Sequence, residues 1–82
     1  MSRAIVDMAC QRFGIQDAIA GRSDRDVWAM IAPFMGAHSL PQLRAQLQAR
    51  LPPHVRVDAV LSPAEQQTLY HSLQAWQRQF GF

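Results

Sequence analysis

Apolar residues recur every three or four positions through most of this chain, and three segments that carry the pattern open on a helix-start signature. The signatures are Ser23-Asp24-Arg25-Asp26, Ser39-Leu40-Pro41 and Ser62-Pro63-Ala64-Glu65. A serine oxygen accepts a hydrogen bond from a free N–H of the first turn, and an acid three residues on reaches back to the serine N–H. Proline at the first helical position has no donor to leave unsatisfied.

The spacing predicts a first helix from Ser2, its cap, to about Phe13, with Gly14 ending it in the left-handed conformation. Ile5, Val6, Ala9, Cys10 and Phe13 share one arc, while Arg3, Asp7 and Gln11 line the other, where Arg3 and Asp7 pair weakly. A short helical turn, Ile15 to Ala20, follows and stops at Gly21. A second strong helix runs from Asp24 to about Met35, with Val27, Ile31 and Phe34 at its centre and Trp28, Met30 and Met35 beside them. That arc is wider than one neighbouring helix covers. Pro33 removes a helical hydrogen bond and crowds the preceding turn, so regular helix is expected only to Ala32, with a looser turn through Gly36.

Leu40, Leu43, Leu47 and Leu51 form the stripe of the third helix, which Pro52-Pro53 stops. Its other side carries Gln42, Ala45 and Ala49, with Arg44 and Gln48 on one flank and Gln46 and Arg50 on the other. His54 to Leu61 differs, because Val55-Arg56-Val57-Asp58 alternates with period two. An extended crossing that tucks Val55 and Val57 into the helical core is expected there, with strand pairing to a partner as the sharper reading. The last helix, Pro63 to about Phe80, stacks Leu69, Leu73, Trp76 and Phe80 on one face, turns Gln67, His71, Gln74 and Arg78 away, and ends at Gly81. The fold class is therefore all-α: one domain, 1–82, a small bundle of four main helices with a short extended segment near 54–61.

Eighty-two residues lie near the lower limit for a single unaided core, and 49% hydrophobic content is what makes such a core feasible. Cys10 is the only cysteine, so no internal disulfide forms and a reducing, cytoplasmic setting is expected. No apolar run approaches the ~20 residues of a membrane span, and no apolar leader precedes a small-residue cleavage site. All eight basic residues are arginine, a usage that suits a bacterial or phage protein from a GC-rich genome. The net charge of +2 comes without any basic cluster, which weighs against a broad nucleic-acid footprint.

Candidate chemistry is sparse. His38, His54 and His71 lie far from the short paired spacings of structural zinc sites, and Cys10 falls on a core-facing arc. Ser39 next to His38 is accounted for as a cap, and no paired carboxylates share an apolar helical face. Gly21 to Arg25 places arginines at a helix start, an arrangement that suits phosphate, but Asp24 and Asp26 beside them repel an anion. No enzyme activity, metal, cofactor or small-molecule substrate is indicated.

Surplus apolar surface remains. The leading expectation is a non-enzymatic protein-interaction module, acting as a regulator, inhibitor, accessory subunit or chaperone on a protein partner or a second copy of itself. Trp28, Met30, Met35, Ala45 and Ala49 would make the apolar contact, with Arg44, Gln48 and Arg50 on its rim. The alternative is a small helix-turn-helix-like DNA-binding repressor reading bases with the helix at 40–51, through its arginines and glutamines. Pro33 and a long connection from Pro33 to Ser39 count against that alternative.

Overall fold

Each of the three capping serines starts a helix. In a computed structural model describing residues 2–81, Ser23 Oγ accepts from the Asp26 N–H, Ser39 Oγ from the Gln42 N–H and Ser62 Oγ from the Glu65 N–H. At Ser62 the box is closed on both sides, since the Ser62 N–H donates to Glu65 Oε1 at 2.9 Å. Only the backbone is described at Ser2, so the cap expected of its side chain lies outside the described atoms.

Six helices follow in order: α1 (Ser2–Arg12), α2 (Gln16–Ile19), α3 (Asp24–Met35), α4 (Leu40–Ala49), α5 (Val57–Val60) and α6 (Pro63–Phe80). The four long ones are the four the spacing predicts. The longest, α6, is the post around which the others stand: α1 packs on it most extensively, and α3 and α4 close the remaining sides. Val6, Ala9 and Cys10 from α1, Val27 and Ile31 from α3, Leu43 and Leu47 from α4, and Leu69, Leu73 and Trp76 from α6 meet in one core. Helical periodicity puts those residues on one side of each helix, so the core follows directly from the pattern. The radius of gyration, 11.8 Å, is close to the roughly 12 Å expected of a compact chain of this length.

Two local expectations are corrected. Helix α3 runs unbroken through Pro33 to Met35, and the Gly36 N–H bonds the Ala32 carbonyl at 2.8 Å. Pro33 is exposed and so is Ala29, whose carbonyl loses its helical donor, so the lost bond lies on the solvent side of α3 and the break costs little. Gly36 then turns the chain sharply: a Cβ at that position would sit 2.6 Å from the Ala32 carbonyl oxygen. Glycine is required there by space, not by a left-handed backbone.

Residues 54–61 are not an extended segment, and no strand occurs among the described residues. The segment is a turn followed by the single helical turn α5, with backbone at Arg56 and Leu61 extended on either side. Gln48 explains why. Its amide donates to the Val55 carbonyl at 2.6 Å and accepts from the Val57 N–H at 2.9 Å, taking the two groups a strand edge would have offered. Of the two valines expected in the core, Val57 is buried at 5% exposure, whereas Val55 stays half-buried outside it.

Two arginines of α1 tie the periphery together. Arg3 donates to Asp7 in its own helix, to Asp24 at the start of α3, and to the Ile19 and Arg22 carbonyls around the α2–α3 loop. Arg12 donates to the Val60 carbonyl and to Glu65, joining the end of α1 to the α5–α6 corner. Buried Gln66 performs a similar service inside, donating to Asp58 and to the Leu61 carbonyl.

These contacts set the acid response. Asp58 is held below the usual carboxylate range, first by the Gln66 bond and then by Arg44; Glu65 is lowered by the Ser62 N–H and then by Arg12. A carboxylate lowered in the folded state binds fewer protons there than in the unfolded chain. Its contribution is therefore full above the ordinary range, near pH 4, and disappears as pH falls through the folded values. Urea midpoints should drop between neutral and strongly acidic solution. The Asp58→Asn/Glu65→Gln variant should show a smaller drop, and an identical drop would exclude these two groups as its source.

Candidate functional site

The sequence pointed to eight residues on or around α3 and α4, and folding separates them into three groups. Trp28 and Met35 are interior, at 1% and 0% exposure, and belong to the core of the chain itself. They are removed from any docking surface. The wide apolar arc of α3 is wide because α6 and α4 both pack against it. The accessible surface of 4877 Å² is close to the roughly 5000 Å² of a compact monomer of this mass, so the surplus is much smaller than the arc suggests.

Arg44 and Gln48 form the second group and turn toward the chain that follows them. Arg44 Nη2 contacts both oxygens of Asp58 at 2.9 and 3.0 Å, and Gln48 holds Val55 and Val57. Both are thus structural partners of the 55–58 segment. The Arg44–Asp58 pair is about half exposed on each side, and such surface pairs contribute little to stability.

The third group is Met30, Ala45, Ala49 and Arg50, all exposed. Among the described residues Met30 is the one large apolar side chain that stands out in solvent, at 39% exposure. Phe34 lies one helical turn on, half-buried, and the Arg50 guanidinium covers its ring at 4.1 Å from the centroid. Gln46 Nε2 reaches the Gly36 carbonyl at 3.3 Å from the same side of α4, and so pins the end of α3 against α4. The result is a shoulder between the two helices: Ala29, Met30 and Pro33 on one side, Phe34 in the angle, and Arg50 with Ala49 on the other. The spacing places Phe34 in the core, and its role under Arg50 is not visible there, because the two residues are sixteen positions apart.

Elsewhere the polar groups mostly satisfy one another. In the Gly21–Arg25 loop the Arg22 side chain bonds the Ala18 carbonyl and Arg3 takes the Arg22 carbonyl, so the loop is closed on itself. Tyr70 donates to the His38 carbonyl and accepts from Gln74, bracing α6 against the α3–α4 connection; Gln74 therefore does not face away from the fold. Cys10 is fully buried, and burial pushes its thiol up to about 11, so it stays protonated and unreactive at neutral pH. Among the described residues no three metal-ligating side chains converge and no ligand-sized cavity opens. None of the described helices is long and apolar enough to cross a membrane.

Comparison with family models, with curated proteins and with solved structures finds no match to this chain.

Proposed function

We propose that this domain is a non-enzymatic protein-interaction module of the cytoplasm, a regulator, inhibitor, accessory subunit or chaperone, that docks the α3–α4 shoulder on a protein partner. The observation that carries this reading is Met30. A flexible thioether in solvent, next to a half-buried aromatic ring and an arginine, is the combination enriched at adaptable interfaces. Ala45 and Ala49 extend the surface along α4 without bulk that would keep a partner away.

The reading is tested by affinity capture from the native host with quantitative mass spectrometry, using wild type, Met30→Glu and Ala64→Glu. Position 64 is exposed and belongs to the first turn of α6, not to α3 or α4. A protein retained by wild type and Ala64→Glu but depleted at least about tenfold by Met30→Glu is the expected result. Equal capture by all three removes the shoulder as the docking site.

One observation favours a second reading. Since α3 continues to Met35, its connection to α4 is only residues 36–39, within the three- or four-residue turn of a helix-turn-helix. In that reading α4 presents Gln42, Arg44 and Arg50 to DNA. Gln42 accepts from the His38 N–H and Arg44 is engaged with Asp58, so both would exchange internal partners for bases or phosphates. Fluorescence anisotropy with duplex DNA at low salt should then show binding weakened by Arg44→Ala and by added salt. No anisotropy change at high protein concentration discards it.

A further inference from the structure

Charge and apolarity follow a definite order on the outer side of α3 from Asp26 to Phe34. Asp26 comes first, exposed and in no ion pair among the described residues, as is also true of Asp17 on α2 and of the adjacent Arg25; Asp7, Asp24, Asp58 and Glu65 each hold an arginine of this chain. Ala29, Met30 and Pro33 come next, all exposed. Phe34 ends the row with Arg50 over it, and Arg50 likewise meets no carboxylate among the described residues. An acid therefore stands one turn before Met30 and a base one turn after it.

We infer that the shoulder is occupied by a second copy of this chain, with α3 lying antiparallel on α3 about a two-fold axis beside Met30. This rests on the docking reading and commits it to one occupant. A two-fold axis sets the same patch on both sides, so that residue i meets j while j meets i. The order acid, apolar, base is complementary to itself when reversed. Antiparallel pairing then places Asp26 of each copy against Arg50 of the other, twice over, and brings the two Met30 side chains together at the centre. Arg50 keeps its stack on Phe34 while gaining a carboxylate, a geometry that planar guanidinium supports and lysine would not.

The helix sets the scale of this contact. Twelve residues of helix span about 18 Å, and one such face covers less than the roughly 800 Å² per partner of a standard stable interface. The dimer is accordingly weak and reversible. Its two peripheral ion pairs make it loosen with added salt.

Sedimentation velocity from about 1 μM to about 1 mM tests the inference directly. Wild type should pass from monomer to dimer across that range. Asp26→Arg and Arg50→Asp should each raise the dissociation constant at least about tenfold, because each sets like charges face to face. The double variant, with the charges exchanged, should return to within about threefold of wild type. Met30→Glu, which touches no cap, should be monomeric throughout while its circular dichroism stays native. A wild type that remains monomeric, or a dimer indifferent to these charges, overturns the inference. If wild type is monomeric while Met30→Glu still loses a captured protein, self-pairing is wrong and the docking reading stands. If wild type is monomeric and capture is also unaltered by Met30→Glu, the docking reading falls with it.

Discussion

Trp28→Ala should lower the melting temperature of this domain by roughly 15–30 °C, and so leave much of it unfolded at physiological temperature. Trp28 is 1% exposed and the largest fully buried side chain. Truncating a buried tryptophan removes its transfer free energy and leaves a cavity, together about 3–5 kcal/mol. In a chain of this length each kilocalorie corresponds to about 4–8 °C, and total stability is only about 5–15 kcal/mol. Met30→Ala, about 3 Å of helix rise from Trp28 along α3, should cost no more than about 0.5 kcal/mol because Met30 lies on the exposed side. Thermal circular dichroism on the two variants separates core from surface on the same helix. Similar melting curves would mean that Trp28 is not the core residue described above.

The second large effect belongs to Arg3, and it is large only because of residues far away in sequence. Arg3→Met should cost about 2 kcal/mol, since charge-assisted hydrogen bonds contribute about 1.5–3 kcal/mol and the Arg3 side chain, 27% exposed, is partly screened. Asp7→Asn should cost about 0.5 kcal/mol, the scale of one helical i, i+4 pair. The difference reflects what each variant loses. Asp7→Asn weakens one contact within α1, whereas Arg3→Met also frees the Ile19 and Arg22 carbonyls and Asp24, and so releases α2 and the start of α3 from α1. The Arg3 guanidinium is held above its ordinary value chiefly by the Asp7 bond, with Asp24 next, so the clamp is charged at every accessible pH. Urea denaturation should also give Arg3→Met a broader transition if the α2–α3 corner loosens before the rest. Equal midpoints for the two variants would show that the tertiary bonds add nothing.

The same contrast runs through the candidate surface. Period and capping located α3 and α4 and their apolar stripes, but they assigned Trp28, Met30 and Met35 together to a contact face. Hydrophobic spacing measures how wide an apolar arc is, not how many neighbours cover it. Two neighbours, α4 and α6, pack on α3; Trp28 and Met35 end up buried, while Met30 keeps 39% of its surface exposed. Arg44 and Gln48 were read as a polar rim from their position on the wheel, yet Asp58, Val55 and Val57 claim them. A side chain with long reach is assigned by what comes near it, and the helical wheel holds no such information.

What the residues determined alone is the local layer: four long helices, the serine starts of α3, α4 and α6, the left-handed stop at Gly81 and the identity of most core positions. These depend on interactions within about four residues, where backbone donors, caps and periodicity are all written in order along the chain. Tertiary structure decided the rest. It carried α3 through Pro33 because the lost bond lies on the solvent side of the helix, and it folded 57–60 into a helical turn because Gln48 supplied the backbone partners that a strand would have needed. It also left one methionine outside beside a stacked arginine, since exposure is a property of the whole packed body and no single segment contains it.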